Sequence, residues 1–160
     1  MKLIEIVGKN YFGHFDHIRY ASRALVIKDD NILLSYEKNN DIWMLPGGGA
    51  EDDETASDTV IREVKEETGY LINPSDIVLE LHEYYEDFKY VTYYFLGEII
   101  SIGNKNLSES EIESGLEPEW IKISEALDIF SKHNDYKGDE MKRGLYLREY
   151  KALKELLSRN

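Results

Sequence analysis

Glu63, Glu66 and Glu67 are the residues most able to do chemistry in this chain, because they are spaced as i, i+3 and i+4. On a helix such positions are neighbours, so three carboxylates would share one face. Carboxylates held that close repel one another at neutral pH, and the strain must raise a pKa or be relieved by a cation. A hard divalent ion such as Mg²⁺ or Mn²⁺ suits an all-oxygen donor set. The flanking residues predict the helix. Thr55 can act as N-cap, with Asp58 three residues on approximating a capping box. Gly69 stands where a left-handed C-terminal residue is common. No proline or glycine interrupts 56–68, and Val60, Ile61, Val64 and Thr68 form a stripe able to pack on a sheet. A solvated acidic face is the competing reading of such a helix. It leaves unexplained the preceding Leu45-Pro46-Gly47-Gly48-Gly49, read as a strand end running into a loop. Three positions there lack a β-carbon, so backbone can approach a metal or phosphate closely.

The fixed spacing extends beyond the acids. Gly48, Glu54, Arg62, Glu63, Glu66, Glu67 and Gly69, with apolar Val64, resemble the Nudix box. That pattern is a glycine, five residues, Glu, seven residues, then Arg-Glu-apolar-x-Glu-Glu-x-Gly-apolar. Only Tyr70 departs, an aromatic in place of the usual aliphatic. The resemblance to MutT-like Nudix hydrolases implies a metal-dependent enzyme cleaving the pyrophosphate of a nucleoside diphosphate linked to another moiety. Triphosphates, dinucleoside polyphosphates and nucleotide sugars all fall in that class. It implies that Glu63, Glu66 and Glu67 hold Mg²⁺ or Mn²⁺ with a backbone carbonyl of Gly47 or Gly48. Arg62 and Glu54 would brace the loop against the helix, and a metal-activated water would attack phosphorus. A glutamate outside the box can serve relatives as base or extra ligand; Glu98, on a strand expected over 90–100, and Glu111, in a stretch over 103–118 read as loop, are the candidates here. Tyr85 and Tyr90 straddle, without matching, the position of a tyrosine found in dinucleoside-polyphosphate hydrolases. The absence of a proline there weakens an ADP-ribose assignment. The alternative is a catalytically inactive nucleotide-sensing module on the Nudix fold, although such proteins typically lose box glutamates.

Composition narrows the classes. The chain has 160 residues, enough for one domain with a core, and no cysteine, which excludes thiolate ligands and a cysteine nucleophile. A net charge of −13 argues against a nucleic-acid polymer as partner. Residues 48–70 carry eight acids and two bases, so the acidity is concentrated where cations would sit. An acidic enzyme acting on phosphates is paradoxical unless bound cations reverse the local field. No segment reads as a signal peptide or a membrane span, so the expected setting is cytoplasmic, as a monomer or homodimer acting on a small nucleotide.

The surrounding pattern predicts a strand over Arg19–Lys28 around 24–27 and another at 32–36, joined by a turn at Asp29-Asp30-Asn31, and a further one at Trp43-Met44-Leu45. Strands over 77–85 and 90–100 flank a hairpin at 86–89, and Trp120–Ile123 is a further strand. Ser124 is expected to cap a short helix through Phe130. A helix over 140–157 should pack through Leu147, Tyr150, Leu153 and Leu157. These elements indicate an α+β or α/β/α layered domain, and the resemblance implies a Nudix-type α/β/α sandwich with a mixed sheet and an added C-terminal helix. The expected division is 1–17 as an N-terminal strand and lip, 18–131 as the Nudix domain, and 132–160 as a helix packed on it. His14 and His17 lack a second ligand pair, so no zinc site is read there. Trp43 is read as core before base-stacking, and Tyr84, Tyr85, Tyr90, Tyr93 and Tyr94 as residues alternating across a sheet.

Overall fold

Alternation along β2 (His17–Leu25) and β9 (Phe88–Ile102) sorts the side chains into two layers. Ala24 and Phe95 face one core with Val60 and Val64, whereas Leu25 and Tyr94 face another with Leu153 and Leu156. In this computed structural model, which describes residues 1–159, helices cover both faces of a mixed sheet in an α+β fold.

That sheet runs β1 (Lys2–Val7), β8 (Leu79–Tyr85), β9, β2, β6 (Gly47–Gly49), with β7 (Tyr70–Pro74) also on β9. β1 is parallel to β8 and β2 to β9, while β8–β9, β2–β6 and β7–β9 are antiparallel. A smaller antiparallel sheet joins β10 (Leu116–Lys122), β4 (Asn31–Glu37), β3 (Ile27–Lys28) and β5 (Ile42–Met44). Helix α1 (Ala56–Thr68) covers one face; α3 (Ile123–Ser131) and α4 (Glu140–Leu157) cover the other. The short α2 (Glu109–Ser114) lies before β10.

Four expectations need correction. The triple glycine is the edge strand β6, with Ser22 opposite Gly48 and Arg23 opposite Gly47. A β-carbon on Gly47 would lie 2.1 Å from Ser22 O, so the missing side chain is what permits the pairing. The stretch 103–118, read as loop, contains α2 and the start of β10. Lys122, not Ser124, precedes α3, and no side chain caps it. Finally, α4 buries Lys142, Tyr146, Glu149, Leu153 and Leu156, whereas Leu147, Tyr150 and Leu157 are only half-buried. The stripe is rotated from the expected one, and it contains a glutamate.

Candidate active site

Helix α1 forms over the predicted span because its ends are chemically closed. Thr55 Oγ1 accepts from the Asp58 amide, though the reciprocal half of a capping box is not formed, and Gly69 ends the helix at φ 83°. Val60, Val64 and Thr68 anchor the helix on the sheet, and Glu67 is carried inward with them, only 5% exposed.

Glu63, Glu67 and Glu111 converge, each offering a carboxylate oxygen within 4.8 Å of the others'. Glu67 Oε2 accepts from Ser35 Oγ at 2.9 Å and lies 3.5 Å from the Gly47 amide. Burial is the main reason its pKa is pushed up to about 8; Arg23 and the Ser35 bond oppose this, and Glu63 and Glu111 add to it. Burial likewise raises Glu63, against the pull of Arg62. Gly48 is packed on Glu63: a β-carbon would lie 2.6 Å from its carboxylate. Glu111 arrives through the cap of α2, where its side chain accepts the Ser108 amide at 2.9 Å and Ser108 Oγ accepts its own amide. Three half-buried or buried carboxylates converging in this way form an all-oxygen, mutually repelling donor set, and hard divalent cations fit it.

Arg62 ties the site together. It grips Glu54 with two bonds, Nε to Oε2 at 2.6 Å and Nη2 to Oε1 at 2.9 Å. It also donates to Glu63 at 2.9 Å, Glu66 at 3.2 Å and the Gly49 carbonyl at 3.0 Å. The guanidinium beside Glu54 holds that carboxyl down at about 2. A bidentate Arg–carboxylate pair fixes orientation as well as charge, so this geometry suits a brace between helix and β6.

The remaining candidates lie apart. Glu66 is bound to Arg62 and outside the tight trio. Glu98 is exposed on β9 opposite Asn73, beside a separate cavity lined by Leu25, Ile27 and Ser75. Gly47 presents its amide to Glu67, while Gly48 meets Glu63 through its missing side chain. Trp43 is half-buried and stacked on Tyr36 at 4.0 Å. His14 pairs with Asp16 and His17 with Asp87, without a common ligand set.

Sequence reasoning missed a second layer. Leu45, at the entry to β6, is held at both ends: Glu149 Oε2 accepts its amide at 2.6 Å and Arg23 Nη1 donates to its carbonyl at 2.7 Å. Glu149 Oε1 further accepts from Tyr94 OH at 2.7 Å and Arg148 Nε at 2.9 Å. The available signal was a glutamate in phase with Tyr146, Leu153 and Leu156.

Comparison with known proteins agrees with this architecture. The family profile of the NUDIX domain matches residues 17–140. A mouse (Mus musculus) diphosphoinositol polyphosphate phosphohydrolase 3-alpha is 30% identical over 106 residues, 66% of this chain and 63% of that protein. A putative ADP-ribose pyrophosphatase of Bacillus subtilis (strain 168) is 39% identical over 64 residues, 39% of this chain and 31% of that protein. The chain thus spans less than two thirds of either relative's own length. Among solved structures, a NUDIX hydrolase from Nitrosomonas europaea shares the fold with a TM-score of 0.58 at 20% identity, covering 84% of this chain and 88% of that one. The MutT protein of Methanosarcina mazei Go1 has a TM-score of 0.50 at 23% identity, covering 69% and 81%. With its box on the strand–helix unit and the profile match extending over most of its length, the chain belongs to the NUDIX domain family.

Proposed function

We propose that this chain is a divalent-metal-dependent pyrophosphohydrolase acting on a small nucleoside diphosphate derivative in the cytoplasm. The observation that carries the reading is the convergence of Glu63, Glu67 and Glu111 beside β6, with Arg62 bracing both sides. Glu63 and Glu67 would hold the ion, with Glu66 completing the set from the outer side of α1. Glu111 would be a further ligand or the base that takes a proton from the attacking water. A bound Mg²⁺ or Mn²⁺ would neutralise phosphate charge and make a water acidic enough to attack phosphorus. Gly47 and Gly48 would let the diphosphate lie close to backbone, and Arg62 with Glu54 would keep the helix and β6 in register. The names of the two curated relatives, a pyrophosphatase and a phosphohydrolase, support anhydride cleavage and offer ADP-ribose and diphosphoinositol polyphosphates as further substrates to assay.

The experiment is a panel of nucleoside triphosphates, dinucleoside polyphosphates, nucleotide sugars, ADP-ribose and diphosphoinositol polyphosphates incubated with Mg²⁺ in ¹⁸O-water. Turnover with the label on a phosphate-bearing product is expected. Metal-dependent binding without turnover would replace the enzyme by a sensor, and a trapped phospho-enzyme would overturn direct attack by water.

A further inference from the structure

Helix α2, which carries Glu111 to the carboxylate trio, has six residues and buries none of them. Ile112, its one large apolar side chain, is 63% exposed. A helix this short is unstable by itself, and no apolar face anchors it to the core. Repulsion from Glu63 and Glu67 also pushes Glu111 outward. The placement of Glu111 therefore depends on what holds the two ends of α2.

Ahead of α2, the strap 103–108 is bonded to the end of α1. Gly103 N donates to the Gly69 carbonyl and Asn106 N to the Glu66 carbonyl, both at 2.7 Å. The Glu66 carbonyl is among the last of α1 and has no partner within the helix, so the strap completes α1 while fixing its own path. Lys65 Nζ adds a side-chain bond to Asn104 O at 2.9 Å. Behind α2, β10 begins opposite Glu37, and Asn39 in the turn after β4 grips the last turn of α2. Its amide donates to Ser114 O at 3.0 Å and its Nδ2 to Glu113 O at 2.8 Å. Between these ends the capping box ties the Glu111 side chain to α2, because its Oε1 accepts the Ser108 amide. Where α2 sits thus decides where the carboxylate sits.

We propose that Lys65 and Asn39 are positioning residues that clamp α2 from its two ends and so hold the Glu111 carboxylate against Glu63 and Glu67. Lys65 stands at the box position whose residue type the pattern leaves open, so the box helix itself carries half of the clamp. The proposal rests on the hydrolase reading for what Glu111 does, but its metal-binding test needs no turnover. The test compares wild type, Lys65→Met, Asn39→Ala, their double variant and Glu111→Gln, with Lys65→Arg as the conservative replacement. Both clamping bonds lie at the surface, so chelated melts of the double variant should stay within about 3 °C of wild type. Mn²⁺ affinity by calorimetry and kcat with the best substrate are then measured. Glu111→Gln shows which of the two Glu111 controls. The double variant should lower that same quantity roughly tenfold, the lower end of what outer partners of a metal site cost. Added to Glu111→Gln, the double change should cost less than about twofold more, because the clamp acts only through Glu111. Lys65→Arg, which still offers donors to Asn104 O, should stay within about twofold of wild type. Coupling in Mn²⁺ affinity while no substrate is cleaved would keep the clamp and remove the hydrolase. In an enzyme that cleaves its substrate, an equal loss with and without Glu111 would overturn the clamp and leave the hydrolase. Wild-type values in the double variant, or in Glu111→Gln, would overturn the clamp as well.

Discussion

Two glutamates, Glu67 on α1 and Glu149 on α4, are buried against the same short stretch of chain, Leu45 to Gly47, from opposite sides. Glu67 is 5% exposed and Glu149 fully buried, and in both the largest influence is the cost of leaving water. They end with opposite chemistry. Glu149 receives an amide, a phenol and a guanidinium, and its pKa is held below the ordinary value. Glu67 receives one good bond from Ser35, sits beside two more carboxylates, and is pushed up to about 8. Burial alone therefore does not separate a structural acid from a candidate ligand; the inventory of positive partners does. Glu149 is complete within the protein. Glu67 is the group that the proposed cation would complete.

The hardest test of that contrast is Glu67→Gln. If Glu67 contacts the ion directly, its loss should exceed the roughly 10–100-fold that outer partners of a metal site cost. A fall in kcat/KM of more than about a hundredfold is thus expected. Gln resembles the protonated acid and can still accept from Ser35, so the metal-free variant should melt at or above the wild type at pH 8. Wild-type activity in the variant would remove Glu67 from the site.

The pH dependence of stability follows from the same asymmetry. Unfolded Glu67 loses its proton near its ordinary value, 4.5, whereas the folded group keeps it to about 8. Between those values the native state binds more protons, so metal-free stability should fall as pH rises. Added Mg²⁺ binds the ionised native form and should offset the fall by mass action. Melts from pH 5 to 8, with chelator and with millimolar Mg²⁺, give both curves. A chelated protein that gains stability across that window would contradict the raised pKa, and Glu67→Gln should flatten the slope.

At Glu149 the expected change is in stability. Glu149→Gln leaves the buried Arg148 guanidinium with an uncharged group at its 2.9 Å partner and only Glu83, 3.8 Å away, as a counter-charge. Breaking a buried pair from one side costs about 3–5 kcal/mol. At the lower end this is roughly 6–12 °C in Tm for a domain of this size. An unchanged melt would mean that the Glu149 charge is not what holds α4 to Leu45.

The contrast also marks where the sequence was legible. The α1 boundaries could be read because they depend on local caps and helix period, whereas the grip of Arg62 on Glu54 was expected only from the resemblance of the box. The glycine segment was misread because its pairing with Ser22 and Arg23 lies between residues distant in sequence, and a run of glycines carries no strand signature. Glu111 was a candidate among several acids, and only the packing of α2 places it beside Glu63 and Glu67 while leaving Glu98 on an exposed strand position. Glu149 was invisible for another reason. Its partners come from β9, from the entry to β6 and from its own helix, so a surface stripe and a buried stripe differed only by a small rotation of α4.

Tyr94→Phe should produce the smallest effect and the sharpest reading of it. The change deletes one oxygen, leaving the ring packed in the core and Glu149 still bonded to Leu45 and Arg148. A hydrogen bond to a charged group is worth about 1.5–3 kcal/mol. Because two donors remain, the loss should sit near the lower end, about 1.5 kcal/mol. Urea melts of Tyr94→Phe, Glu149→Gln and the double variant close a cycle, and residues in one buried network couple by about 0.5–3 kcal/mol. Coupling in that range, with less lost in the double than in the sum, would show the phenol and the carboxylate acting together. Strict additivity would mean that Leu45 and Arg148 alone satisfy Glu149, and that the phenol contributes by packing.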